Sequence, residues 1–178
     1  PKPLYNKSRS VIMMKKIDRF VLNITLFLLL VPLLTACNKQ PELTTLLDPT
    51  PDQYMPTSEH GVSLKLQETI YTESPMTIET TVTNDSDNNY TIGEFYHLEV
   101  LKEEQWYILT YSDKVFFEHP EFKDFGLTLQ AHSSMDQSFS LENLGITLPP
   151  GQYRLAKTVL SKGEPFYELS IAAPFTVQ

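Results

Sequence analysis

The chain has 178 residues, with 14 Lys and Arg against 22 Asp and Glu side chains, a length that accommodates one globular domain plus extensions. Six of the basic side chains and one acidic side chain lie in residues 1–36, so the remainder has eight basic against 21 acidic side chains. An acidic body without a basic patch repels phosphate backbones, which excludes nucleic acid as an expected partner. The single cysteine excludes an internal disulfide framework and a zinc site built from cysteines.

The N-terminal part has the organisation of a secretory signal. Residues 1–12 precede two candidate initiators, Met13 and Met14, and we interpret them as upstream or added sequence outside the fold. Two lysines follow, and then a nearly uncharged apolar run over residues 20–36, which as a helix would be about 26 Å long. That is shorter than a hydrocarbon core of about 30 Å. The pattern therefore predicts a signal-peptide helix over residues 13–36.

The only cysteine stands where this signal ends. Leu34-Thr35-Ala36-Cys37 resembles the lipobox of bacterial lipoproteins. The resemblance implies that the thiol of Cys37 receives a diacylglyceryl group and that the signal peptide is cleaved before it. Several acyl chains hold a protein firmly on a bilayer, so we expect membrane lipid as a partner and an extracytoplasmic, lipid-anchored location on the bacterial cell membrane. An uncleaved signal anchor with an incidental cysteine is the alternative.

Residues 37–59 are rich in proline and have little apolar periodicity. Such density favours extended, unpacked chain, and its prolines are Pro41, Pro49, Pro51 and Pro56. The 22 residues after Cys37 reach at most about 70 Å when fully extended. We predict a flexible tether that lifts a domain off the membrane. The alternative is an ordered lead-in lying against the domain, for which Leu46, Leu47 and Tyr54 are suitable.

From residue 60 onward, apolar residues alternate with polar ones. This period of two indicates strands with one buried face, and no helical stripe interrupts it. Residues 84–89 are a polar loop and residues 102–105 turn a hairpin. The predicted strands are 62–66, 77–82, 96–100, 106–109, 127–131, 139–141, 153–160 and 166–177, the last interrupted by Pro174. Seven or eight short strands in about 119 residues point to an all-β sandwich.

Four motifs in residues 60–178 resemble the bacterial Ig-like domain found in lipoproteins of low-GC Gram-positive bacteria. They are residues 61–64 (GVSL), 81–86 (TVTNDS), the hairpin of 94–99 (EFYHLE) with 105–107 (QWY), and the turn 148–154 (LPPGQYR). The resemblance implies an Ig-like antiparallel β-sandwich of about seven strands and brings no catalytic residues. Residues 130–134 (QAHSS) replace a proline-glycine turn of the family, so we expect a wider turn there.

Residues able to carry chemistry are sparse. Asp85, Asp87 and Asn89 alternate like the first ligands of a calcium loop, but Tyr90 and Tyr96 occupy the positions where that loop has Gly and Glu. The four histidines (His60, His97, His119 and His132) have no paired metal-ligand spacing; His119 alone stands among carboxylates. There is neither a nucleophile elbow nor a second cysteine. We predict no enzymatic activity, no cofactor and no metal.

The irregular segment 113–125 is the strongest candidate for binding. Apolar anchors rimmed by charge on a loop of a rigid sandwich have the composition of a contact patch, and the nominated residues are Phe116, Phe117, Glu118, His119, Glu121, Asp124 and Phe125. The alternative is that the phenylalanines are core and the charges solvated.

The aromatic residues outside this segment are interpreted as structural. Trp106 and Tyr107 should point to opposite faces, and we expect Trp106 in the core with Val82, Leu98 and Tyr153. Tyr153 is expected to form a tyrosine corner.

These observations lead to a membrane-anchored, cell-surface lipoprotein whose Ig-like domain serves binding or scaffolding in the cell envelope, with an unidentified envelope protein or ligand as partner. The alternative is a proteinase-inhibitor-like β-sandwich that inserts segment 113–125 or the turn 142–151 into a protease cleft. A hydrolase or metal carrier built on the acidic loops is a more distant third hypothesis.

Overall fold

The structure, a computed structural model, describes residues 43–112, 115–119 and 126–178, and only the backbone of Phe116. The predicted signal-peptide helix, Cys37 and the first residues of the predicted tether lie outside these ranges. The described part contains one helical turn, Val115–Glu118, and eleven strands: β1 (Ser58–Glu59), β2 (Val62–Leu66), β3 (Ile70–Tyr71), β4 (Thr77–Asn84), β5 (Tyr90–Ile92), β6 (His97–Lys102), β7 (Gln105–Ile108), β8 (Leu127–Leu129), β9 (Ser133–Ser140), β10 (Gly151–Ser161) and β11 (Glu168–Val177).

Two sheets form the sandwich. The first sheet has the antiparallel order β1-β2-β4-β9. In the second sheet, β11 pairs with β10 over the whole length of both strands, and β3 adds to β11 in parallel. On its other edge, β10 pairs with both β6 and β5. Strand β6 pairs in turn with β7, and β5 pairs with β8. This architecture confirms the predicted all-β, Ig-like sandwich.

The core lies between the inward faces of the sheets, as period-two patterning requires. In β4 buried and half-buried residues alternate strictly, and Ile78, Val82 and Phe139 of the first sheet are fully buried. Leu98 and Leu155 cover them from the second sheet and are also fully buried. The expectation that Val82 and Leu98 are core residues is therefore confirmed.

Trp106 does not lie in the core, which corrects the sequence-based expectation. It pairs with Leu101 in the register of β6 and β7, and that position places it on the outward face of the second sheet, where it is half-buried. Tyr107 is on the inward face and packs against the core from a half-buried position. The prediction of opposite faces holds, but the outward residue is the tryptophan.

Two of the motifs that resemble the family contain a side chain that fixes a loop or turn to a strand. The side chain of Asn84, fully buried, donates to the carbonyls of Asn88 at 2.7 Å and Gln130 at 2.9 Å, so it ties the end of β4 to two loops. At the start of β10, the Tyr153 hydroxyl donates to the Pro149 carbonyl at 2.6 Å. This bond is the expected tyrosine corner, a device that fixes the turn into the strand.

The connection over residues 130–134 is narrower than expected. Strand β8 ends at Leu129 and β9 begins at Ser133, so three residues join the two sheets. His132 adopts a positive φ of 53° there, a conformation that is uncommon for a residue with a side chain. A side-chain contact from the neighbouring loop supports it, because the His132 Nε2 lies 2.9 Å from Asp87 Oδ1.

Strand β11 continues through Pro174, which was expected to interrupt it. The amides of Ala172 and Thr176 donate to the carbonyls of Pro56 and Thr69 at 2.9 Å each, and both acceptors lie outside β10. Residue 174 has the same parity as 172 and 176, so its nitrogen also faces away from β10. The missing N–H of proline therefore removes no bond from the β10–β11 ladder.

The gap between β5 and β6 contains a buried polar cluster. Lys157 of β10 is 1% exposed, and its Nζ donates to the Gly93 carbonyl and, at 2.8 Å, to the Phe95 carbonyl. It also lies 3.9 Å from the centre of the Tyr96 ring. A buried ammonium group is tolerated only when it has such partners. Lys157 thus satisfies backbone groups that the interrupted strand leaves without ladder partners.

The same cluster joins the two sheets. The Tyr96 hydroxyl lies 2.6 Å from Thr80 Oγ1 and donates to Gln137 Oε1 at 2.8 Å. The Gln137 Nε2 in turn donates to the Gly93 carbonyl at 3.0 Å. Among the described residues, every buried side-chain nitrogen and oxygen has a hydrogen-bond partner, so this polar core is compatible with a stable fold.

Candidate binding surfaces

The nominated segment 113–125 is described only at residues 115–119. Its helical turn follows a hydrogen bond from the Val115 amide to the Ser112 carbonyl at 3.0 Å, and it closes with one from His119 to Val115 at 2.8 Å. Val115 is buried in the core, whereas Phe117 is 86% exposed and Glu118 is exposed. Phe117 is therefore a surface residue and not part of the core. The Phe116 side chain, Glu121, Asp124 and Phe125 lie outside the described residues.

A cleft of about 310 Å³ adjoins this turn. Its walls come from three separate parts of the chain, residues 43–44, 109–112 and 144–147. Leu109 and Leu144 are buried at its base, and the polar lining includes the hydroxyls of Thr110 and Ser112. Desolvation by burial raises the pKa of Tyr111, which also lines the cleft. The cleft thus brings Ser112, whose carbonyl accepts from the Val115 amide, together with residues 144–147 of the 142–151 turn.

The 142–151 turn is folded back on the domain rather than extended. Ile146 donates its amide to the Leu141 carbonyl at 3.0 Å, and Gly145 donates to Glu142 at 2.9 Å. Leu144 and Leu148 are both buried. An inhibitory loop must enter a protease cleft in an extended form, so this closed geometry gives the inhibitor-like alternative no support from the 142–151 turn.

Residues 43–57, which we call the lead-in, begin by running beside β7 and pairing with it through main-chain hydrogen bonds. The amides of Leu46 and Thr50 donate to the carbonyls of Ile108 and Trp106 at 2.9 and 2.8 Å, and Thr110 donates back to Thr44 at 2.9 Å. The lead-in therefore covers the free edge of β7. For residues 43–57 the alternative of an ordered lead-in describes the structure better than a flexible tether, because main-chain groups pair in spite of the prolines.

The lead-in then crosses the outward face of the second sheet. Gln53 Oε1 accepts from the Trp106 amide at 2.9 Å, and at the far side the Pro56 carbonyl accepts from Ala172 of β11. Between these contacts the chain passes over β10. Ala156 and Ala172, paired across β10 and β11, are small and buried, which lets the backbone approach closely.

A buried ion pair holds the lead-in to β10. Arg154 and Glu99 are 4% and 1% exposed, and both Nε and Nη2 of Arg154 lie 2.7 Å from Glu99 Oε2. The same guanidinium donates to the carbonyls of Asp52 at 2.5 Å and Gln53 at 3.1 Å. Its Cζ stacks 4.7 Å from the centre of the Trp106 ring. One side chain thus clamps the lead-in at residues 52 and 53.

Burial sets the electrostatics of this clamp. Desolvation raises the pKa of Glu99. Hydrogen bonding and charge attraction from Arg154 oppose this rise, and His97 and the Thr50 hydroxyl make smaller contributions in the same direction as Arg154. The carboxyl therefore depends on Arg154 to remain ionised at low cost. Sequence reasoning missed this clamp, although two cations, Arg154 and Lys157, among the apolar residues of β10 were a signal that could have indicated buried polar partners.

The lead-in also carries apolar side chains that face solvent. Leu47 is 97% exposed and Tyr54 is 94% exposed, while Leu46 is about half exposed at 49%. In the alternative of an ordered lead-in, these residues were the ones suited to lie against the domain. The structure holds the lead-in by its main chain and by Arg154, and the side chains of Leu47 and Tyr54 are left in solvent.

The acidic loops do not converge. Asn89 Oδ1 accepts from the Ala131 amide at 2.8 Å and Asp87 contacts His132, so two of the three candidate calcium ligands are engaged within the protein. Within residues 43–112, 115–119 and 126–178, no group of three His, Cys, Asp or Glu side chains could hold a metal ion. In the same ranges no helix has the length and apolarity needed to cross a bilayer.

Comparison with known proteins identifies the family. The sequence profile of the bacterial Ig-like domain matches residues 58–176, which are the two sheets from β1 almost to the end of β11. No curated protein matches the chain, and no solved structure matches it. The matched region begins directly after the lead-in, so the lead-in is an addition to the part that the family shares. With its two-sheet sandwich and this match, the chain belongs to the bacterial Ig-like domain family.

Proposed function

We propose that the protein is a lipid-anchored binding or scaffolding domain on the extracytoplasmic side of a bacterial cell membrane. Bacterial Ig-like domains are typically extracellular, surface-located and not enzymatic, which supports the class of function. The lipobox-like residues 34–37 support attachment through Cys37. The domain then presents its loops to the cell envelope.

The observation that carries the binding role is the pairing of the cleft with the exposed turn. The cleft is lined by residues 43–44, 109–112 and 144–147, and it is linked to the turn through Ser112, whose carbonyl accepts from the Val115 amide at 3.0 Å. Phe117 in that turn is exposed. Aromatic anchors beside a partly polar recess are characteristic of protein interfaces. We place the partner-binding surface at this side of the sandwich, with segment 113–125 contributing the contact patch.

The test is a crosslinking pull-down of the anchored protein from its native membrane. Phe117→Ser and a charge reversal of Glu118, Glu121 and Asp124 should each reduce recovery of the crosslinked partner while thermal stability stays nearly unchanged. For Phe117 the reason is its exposure, since substitutions at exposed positions have small effects on stability. The matched controls are Phe166→Ser, at a residue that is also exposed, and charge reversal of Glu103 and Glu104 in the β6–β7 turn. Equal recovery for the test and control variants would remove this surface as the binding site.

A further inference from the structure

We propose that the outer side of the lead-in lies on the membrane surface, with Leu47 and Tyr54 in contact with lipid. The inference rests on the proposed anchoring at Cys37 and adds an orientation to it. Its occupant is the lipid bilayer in which the acyl chains of Cys37 would be embedded.

The first argument is the length of chain available. Because the lead-in is fixed to the domain from Leu43 onward, only six residue steps separate the anchor from the folded body. Six steps of extended chain span at most about 20 Å, against about 70 Å for a fully free tether. The start of the lead-in is therefore held within a short distance of the bilayer surface.

The second argument is the unexplained exposure of apolar side chains. Leu47 and Tyr54 are 97% and 94% exposed although their backbone belongs to a segment held by hydrogen bonds and by Arg154. Leu46, at 49%, adds a further aliphatic group. Aliphatic and aromatic side chains of this kind partition into the interface between headgroups and acyl chains. A fixed segment that presents them next to an anchor is suited to contact with lipid.

Charge near the lead-in sets the depth of the contact. The Lys102 Nζ lies 3.5 Å from Thr45 Oγ1, so an ammonium group stands beside this segment and can reach a lipid phosphate. Asp48 and Asp52 on the lead-in oppose deep insertion and approach to anionic lipid. We therefore expect a shallow contact at headgroup level that is stronger on zwitterionic than on anionic membranes.

The experiment uses the full lipidated protein in phosphatidylcholine vesicles. Lipidation blocks the sulfur of Cys37 as a thioether, so a cysteine introduced by Leu47→Cys is the single free thiol and accepts an environment-sensitive fluorophore. The matched control is Lys65→Cys, at an exposed residue on the outward side of β2 in the opposite sheet. We expect quenching by brominated acyl chains at position 47 and none at position 65.

A second variant tests the contribution of the leucines. In this variant the fluorophore is attached to Tyr54→Cys, and Leu46 and Leu47 are both replaced by serine. The ratio of lipid-contacting to detached domain should fall by about tenfold, because two leucine side chains that would be partly inserted into lipid are lost. Leu46 is 49% and Leu47 is 97% exposed, so neither change removes a buried core side chain. An unchanged ratio would overturn the inference.

Fatty-acid incorporation at Cys37 is measured in the same preparation to separate the two proposals. Lipidated protein with an unquenched fluorophore at position 47 would overturn the membrane contact and leave the anchoring in place. Equal quenching at positions 47 and 65 would overturn the orientation. Absence of fatty acid on Cys37 would overturn the anchoring and the membrane contact together.

Discussion

Replacing Arg154 with alanine should be the most destabilising change on the outward face of the second sheet. The change removes two contacts of 2.7 Å to Glu99 and the bonds to the carbonyls of residues 52 and 53. It leaves Glu99, 1% exposed, as a buried carboxylate without its cation. Removing one partner of a buried pair costs about 3–5 kcal/mol. Release of the lead-in admits some water, so we expect the lower part of that range.

Urea unfolding followed by the fluorescence of Trp106, the only tryptophan, measures this loss at the site itself. For an m-value of about 2 kcal/mol per M, the midpoint should fall by about 1.5–2 M. The lead-in should also become sensitive to proteases, because its clamp is gone. The double variant Arg154→Met with Glu99→Leu removes both charges and should recover most of the lost stability.

The pH dependence of the Arg154→Ala variant gives a second readout. Burial already raises the pKa of Glu99 in the native protein, and Arg154 opposes that rise. Without Arg154 the folded-state pKa rises further, so the variant is most stable where the carboxyl is protonated and loses stability as the pH increases through that pKa. The difference from the native protein should therefore shrink toward acidic pH. A loss below 1 kcal/mol at neutral pH, or a double variant no more stable than Arg154→Ala, would refute the reasoning.

Three further outcomes are expected. Phe139→Ala, at a fully buried core position, should lower the free energy of unfolding by about 3–5 kcal/mol. Trp106→Ala should lower it by only about 1.5–3 kcal/mol, because its ring is half-buried on the outward face. Thermal melts by circular dichroism measure both losses, and the reverse order would contradict the assignment of faces. Burial raises the pKa of Tyr96 and of Tyr153 from 10.0 to about 12. The stability that the protonated phenols contribute is therefore complete below pH 10 and is lost between pH 10 and about 12. Replacing both by phenylalanine should flatten this alkaline decline in stability, and an unchanged pH profile would exclude these groups as its cause. Cys37→Ala should yield an unprocessed precursor that incorporates no labelled fatty acid, and normal labelling would refute the lipidation proposal.

Much of the sandwich was predictable because alternation is a local property. In β2 and β4 each inward residue is apolar or has a hydrogen-bonded side chain. The alternation of apolar and polar residues therefore predicted the positions of both strands closely. Strands β1, β3 and β5 were not predicted, since their two or three residues carry little pattern; β8 is equally short and was found only as part of the longer predicted strand 127–131. Their pairing depends on neighbours distant in sequence. The continuity of β11 at Pro174 likewise depends on which edge of the strand is free, and the sequence does not display this.

The candidate site was predictable only in part. The irregular, charged character of its segment made exposure of Phe117 one of two open alternatives, the other being burial in the core. The cleft was not predictable, because its walls come from residues near 44, 110 and 146, which only the fold brings together. The clamp of Arg154 on Glu99 and residues 52 and 53 could not be inferred for the same reason. Proline content suggested a free tether, but proline removes only its own amide hydrogen, and the amides of Leu46 and Thr50 remained available for pairing.

Pro174 has a consequence for a protein that would be concentrated on a two-dimensional surface. Anchored molecules meet one another often, and a strand with open main-chain donors invites pairing between neighbours. On the outer edge of β11 the amides of Ala172 and Thr176 are already occupied by Pro56 and Thr69, and residue 174 between them has no amide hydrogen to offer. Proline at this position closes that edge to a second molecule, so crowding at the membrane would not lead to sheet-to-sheet polymerisation there.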